Sequence, residues 1–187
     1  MARNPLEVVF HDFVDLFERL SIPYAVMGGL AVRAHGIPRP TYDVDVTVLV
    51  DRSKLPEMFA AIRQAGYDVP QAYDTGWVDE VAGMPLVKAF TFAEGRSLAA
   101  DIFLAESPFQ LSLMERRVRE RVNGFDAWLV SAEDLLLLKL LAGRQRDLAD
   151  VSDILMLNLS CDEDYLRHWA DVIGVRDKLE QVLRETK

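Results

Sequence analysis

The sequence predicts an α+β fold: a mixed β-sheet in a two-layer (α/β) packing with helices, followed by a C-terminal helical segment. Three observations carry this. Helix-period and strand-period segments alternate between Pro5 and Leu104, a pattern that lays helices against a sheet. A glycine pair, Gly28-Gly29, separates a short strand from a short helix, where a tight turn is needed. After Ser131 the chain runs on in helical patterns alone. The 187 residues fit one domain, or a core over 1–108 with a mainly helical part over 109–187 that joins it near Phe109 to Val122. Half the residues are apolar and 27% are charged, enough to build a core and to exclude a disordered chain.

Taken in order, PLEVVFHDFVDLFERL places Leu6, Val9, Phe10, Phe13, Phe17 and Leu20 at helical spacing, with Pro5 in the first turn. His11 and Asp12 fall off that stripe and are expected in solvent. Tyr24 to Val50 reads as strand, glycine turn, short helix, loop and second strand, and Asp43 and Asp45 open the second strand. Asp51-Arg52-Ser53 leads into a helix over Lys54 to Gln64, closed by Gly66, with Leu55, Met58, Phe59 and Ile62 as its buried stripe. Tyr67 to Gly83 shows little periodicity; Trp77 there is expected as a core filler, with a base-stacking surface as the alternative. Leu86 to Phe92 and Leu98 to Leu104 read as a hairpin about the turn Glu94-Gly95-Arg96.

Within Ser107 to Gly124, MERRVRERV is a basic run that reads as a solvated helix face or loop, or as a patch facing an acceptor. Phe125 to Val130 is a short strand. Ser131-Ala132-Glu133-Asp134 resembles a capping box ahead of LLLLKLLAG, a helix that stops near Gly143. Another helix restarts at Arg146 or Asp147. Asp162 to Lys187 forms one or two amphipathic helices with Trp169, Val172, Ile173, Leu179 and Leu183 as core.

Thirty acidic against twenty-one basic residues leave a net charge of −9, which disfavours an autonomous binder of duplex DNA or long RNA. Cys161, the only cysteine, excludes an internal disulfide and suits a reducing cytosol. No apolar run is long enough for a membrane span, and MARNPLEVVFHDF carries charges where a signal core would be apolar. A soluble cytoplasmic protein is expected.

The chemistry is concentrated in few residues. Asp43 and Asp45 point from one face of a strand, about 6–7 Å apart. Like charges that close raise each other's pKa, and a divalent cation such as Mg²⁺ relieves them. Backbone N–H groups at the Gly28-Gly29 turn suit a phosphate. Metal and phosphate together suggest nucleotide chemistry. Asp101 is the one carboxylate in an apolar strand, and a place beside Asp43 and Asp45 would complete a trio; an edge-strand Asp in solvent is the alternative. Lys88 is either its charge partner or simply exposed. Lys139 is the one charge in a helix apolar nearly all round, and burying it costs several kcal/mol unless it is paired or faces a polar cleft. The cleft is the preferred reading, with a triphosphate oxygen as its partner.

A Gly-Gly turn, thirteen residues, then Asp43-Val44-Asp45 resembles the signature of the DNA polymerase beta-like nucleotidyltransferase superfamily. GGLAVRAHG followed by RPTYDVD is similar to the branch holding antibiotic-modifying nucleotidyltransferases and AbiE abortive-infection toxins. The spacing K-x4-R-x2-D-x2-D over Lys139, Arg144, Asp147 and Asp150 is similar to the C-terminal motif of the AbiE-like branch, although Asp147 also suits a helix cap. The resemblance implies transfer of a nucleoside monophosphate from an NTP, with two Mg²⁺ ions at Asp43, Asp45 and Asp101 and with pyrophosphate released. It implies nucleotide contacts from Gly28, Gly29, Arg39, Thr41, Lys139, Arg144 and Asp147. Many relatives carry Ser at the second turn position, whereas Gly29 offers only its backbone. The implied acceptor is a tRNA end, a protein or a small molecule, and a cognate antitoxin is a further implied partner. The contrasting expectation is a catalytically inactive nucleotide-binding or protein-interaction module with the same fold.

Overall fold

The computed structural model describes residues 4–37, 39–93, 95–122, 124–157 and 161–186. Of the expected turn, Glu94 lies outside them, as does Lys187 at the end of the last helical stretch. The first helix, α1 (Pro5–Arg19), starts where Asn4 accepts a hydrogen bond from the Leu6 N–H at 3.1 Å. It buries Leu6, Val9, Phe10, Phe13 and Phe17 against the sheet side of the core, with Val14 and Leu16 added to the expected stripe. Its polar side is less solvated than expected. His11 lies against the Phe125 ring at 4.2 Å, and Asp12 accepts a 2.7 Å hydrogen bond from the Tyr67 hydroxyl.

Seven strands form one mixed sheet: β1 (Tyr24–Val26), β2 (Asp43–Val48), β3 (Asp79–Val81), β4 (Met84–Ala93), β5 (Arg96–Leu104), β6 (Val118–Val122) and β7 (Phe125–Leu129), in the order β3-β4-β5-β2-β1-β7-β6. Two parallel pairings matter for the site. β2 runs parallel to β5 with Asp45 opposite Asp101, and β1 runs parallel to β7 at Val26 and Leu129. The hairpin β4–β5 is antiparallel, with Lys88 opposite Asp101. β6 and β7, from the 109–187 stretch, extend the same sheet beside β1.

Helices α2 (Gly28–Ala34) and α3 (Leu55–Gln64) follow in the first part and α4 (Pro108–Arg116) begins at its end, and α3 buries the predicted Leu55, Met58, Phe59 and Ile62. The second part supplies α5 (Ala132–Ala142), α6 (Gln145–Leu157), α7 (Glu163–Val172) and α8 (Arg176–Thr186). Ser131 caps α5 through the Asp134 N–H at 3.1 Å, and Gly143 ends it in the left-handed region. Buried Leu135, Leu136, Leu137 and Leu140 explain the all-round apolar run.

Four expectations change. MERRVRERV is neither one helix nor a loop: it ends α4 and then forms β6, an edge strand whose central residues are exposed. β3 and a short 3-10 turn over Gln71–Thr75 occupy the stretch that showed no periodicity. Trp77 is 54% exposed, stacked flat on Tyr73 at 5.7 Å, so it is a surface aromatic rather than a core filler. Val172, expected in the core, is 55% exposed, because the buried face of α7 is Leu166 and Ala170.

Candidate active site

The site forms where β1 ends, β2 begins and β5 passes alongside. The Met27 N–H donates to the Asp45 carbonyl at 2.9 Å, which sets the start of α2 beside the Asp45 side chain. Gly28 has φ +61°, and a Cβ on it would stand 1.9 Å from Asp45 Oδ2. A Cβ on Gly29 would stand 2.4 Å from Thr41 Oγ1. Real Cβ atoms never approach that closely, so both positions require glycine for space, and Gly28 also for backbone. Thr41 thereby fills the volume that a side chain at position 29 would take, and its hydroxyl donates to Asp43 Oδ1 at 3.1 Å.

These groups border a cavity of about 620 Å³ that also takes in Asp101, Arg39, Tyr42, Lys139, Arg144 and Arg146. Every sequence-predicted site residue lines it except Thr41, which stands behind Gly29 and Asp43, and Asp147. Burial, then the neighbouring Asp43 and Asp101, push the Asp45 carboxyl up to about 7, with Lys139 and Arg144 pulling the other way.

The basic groups are not idle. Lys139 is 4% exposed and meets Asp147 Oδ1 and Asp150 Oδ2, each at 2.8 Å. It is thus both paired and at the cleft wall, where sequence reasoning had set these as alternatives. Arg39, from the loop before β2, also pairs with Asp150. Arg144 donates to Asp147 Oδ2 at 2.6 Å. Burial would raise the Asp147 pKa, but the hydrogen bonds from Arg144 and Lys139 outweigh it and hold the carboxyl below the usual range. Asp147 therefore organises the cations instead of facing the cavity, and Asp150, absent from the predicted set, does the same.

Asp101 takes the expected place beside Asp45 and is paired there as well. Both its oxygens are taken by Lys88 Nζ, at 2.9 and 3.0 Å. Among the described residues no three His, Cys, Asp or Glu side chains are arranged to hold a metal ion together. Asp43, Asp45 and Asp101 all line the one cavity, and Lys88, Asp101 and Asp45 form a row across three strands. Of the two readings of Lys88, charge partner or simply exposed, the first is the one observed. Tyr42 and Arg146 at the cavity were missed; an aromatic directly before the Asp-x-Asp run was the available signal for the first.

No protein-family model matches the chain, and no curated protein matches it. Solved structures do. An antigenic nucleotidyltransferase-like protein from Paracoccidioides brasiliensis is similar over 96% of this chain and 92% of its own, at 21% identity and a TM-score of 0.58. ANT(2'')-Ia in complex with adenylyl-2''-tobramycin is similar over 90% of this chain and 97% of its own, at 13% identity and a TM-score of 0.58. The lincosamide antibiotic adenylyltransferase LnuA, bound to lincomycin, is similar over 83% and 99%, at 16% identity and a TM-score of 0.54. At these identities the likeness is one of architecture: the chain has the α+β fold of nucleotidyltransferase-like proteins.

Proposed function

We propose that this protein is a Mg²⁺-dependent nucleotidyltransferase that moves a nucleoside monophosphate from an NTP to an acceptor hydroxyl. The observation that carries this reading is the placement of Asp45 opposite Asp101 on adjacent parallel strands, with Gly28 packed against Asp45 at one cavity. The donor set fits a cation. Asp43 and Asp45 are hard oxygen ligands two residues apart, and a carboxyl pushed up to about 7 by burial and then by like charges is one that a cation would relieve.

Asp43 and Asp45 would hold Mg²⁺, which supplies positive charge for the α-phosphate and the departing pyrophosphate. Arg39, Lys139 and Arg144 line the same cavity and would take the triphosphate oxygens. Asp101 faces the same cavity and is the base within reach of an acceptor proton. Positioning and charge account for most catalysis in such transfers, so a short list of polar groups suffices.

The test incubates the protein with each α-labelled NTP, Mg²⁺ and a cell lysate, then separates small molecules, protein and RNA. Label in one fraction identifies the acceptor class; no label from any NTP refutes the reading. A toxin role with a cognate antitoxin predicts growth arrest on expression that Asp45→Asn relieves.

A further inference from the structure

Lys88 sits where a reading by resemblance would put part of a second metal ion's coordination. The backbone sets this. Lys88 is opposite Asp101 in the antiparallel β4–β5 pairing, and Asp101 is opposite Asp45 in the parallel β2–β5 pairing. Facing residues on neighbouring strands share a sheet face at roughly 5 Å spacing, so the order Lys88, Asp101, Asp45 follows from register, not from a side-chain rotamer. The Lys88 backbone N–H donates to the Tyr73 hydroxyl at 3.2 Å, and that hydroxyl donates to Asp79 at 2.7 Å, which ties the strand to its neighbours at this residue. With 33% of its side chain exposed, Lys88 keeps solvent contact, so holding its charge there costs little desolvation.

We propose that the Lys88 ammonium takes the place of the acceptor-side metal ion, so that the site accepts one divalent cation with its NTP, at Asp43 and Asp45. The proposal rests on the nucleotidyltransferase reading above. A cation between Asp101 and Asp45 would stand close to the lysine ammonium that engages both Asp101 oxygens, charge against like charge. One ammonium and one divalent ion together match the charge of three carboxylates. The acceptor oxygen bonds to the α-phosphorus as the bond from that phosphorus to the bridging oxygen breaks. The electron pair leaves with pyrophosphate, and the acceptor proton passes to the Asp101 carboxylate. Lys88 takes no part in the proton transfer and orients Asp101; it is a positioning residue.

Counting bound Mn²⁺ tests this without turnover. Wild type, Lys88→Met, Lys88→Arg and Asp45→Asn are titrated with Mn²⁺ by electron paramagnetic resonance, each saturated with the four α,β-methylene NTP analogues in turn. Wild type and Lys88→Arg are expected to bind one ion per chain, Lys88→Met to gain a second, and Asp45→Asn to lose the first. Two ions in wild type, or no second ion in a folded Lys88→Met, overturn the proposal and leave the nucleotidyltransferase reading standing. No analogue-dependent Mn²⁺ in wild type overturns both. A merely structural ion pair would change the melting temperature on substitution but not the ion count.

Discussion

At the scale of single residues, the glycine turn is demanded by what faces it. Gly28→Ala meets Asp45 Oδ2 and a left-handed φ, so overpacking of about 1–3 kcal/mol adds to a backbone cost near 1 kcal/mol. Gly29→Ala meets only Thr41. The expected outcome in thermal melts is that Thr41→Gly recovers stability lost to Gly29→Ala and none of that lost to Gly28→Ala. Asp147 gives a second residue-scale prediction. Its pKa is lowered on folding, so it contributes stability above the ordinary carboxylate value, lost as pH falls through the lower folded one. Asp147→Asn should cost about 2–4 kcal/mol in urea unfolding at pH 7, because it breaks buried pairs, and the deficit should shrink below pH ~4. The Gly28-Gly29 and Asp43-x-Asp45 positions were legible because the turn and the period-two spacing are local. The hairpin reading left Lys88 as one of two options for the partner of Asp101, while the Arg39–Asp150 pair was not legible, since it joins distant segments through helix docking.

Among the elements, those with a buried stripe could be read and those without could not. α1, α3 and α5 announce themselves by spacing or by an uninterrupted apolar run, and the structure keeps them within a few residues of the expected bounds. β6 escapes because its exposed Arg119, Glu120 and Arg121 leave no apolar alternation; it is a strand through pairing with β7. Charged side chains on such an edge also discourage pairing with another chain. Trp77 follows the same logic, since its flat contact with Tyr73 comes from a 3-10 turn with no sequence period. Trp77→Ala should therefore lower stability by about 1 kcal/mol or less, against roughly 3–5 kcal/mol for Phe59→Ala in the core of α3, as measured by urea denaturation.

For the whole molecule, the α+β class follows from the alternation of elements, but how the two parts of the chain share one sheet does not. β7 pairs with β1 immediately before the glycine turn, and α5 brings Lys139 to the same cavity. A fragment of residues 1–108 is accordingly expected to lose the β1 edge partner and to lack native near-ultraviolet circular dichroism. The net charge of −9 does not describe the cavity, whose lining sets Arg39, Lys139, Arg144 and Arg146 beside Asp43, Asp45 and Asp101. In the proposed reading, the carboxylates beside the Gly28-Gly29 turn carry out NMP transfer. Pyrophosphate release from NTP with Mg²⁺ and lysate, compared between wild type and a folded Asp45→Asn, addresses it most directly. A drop of at least about 100-fold in the variant is the predicted result; equal release from both proteins contradicts the account.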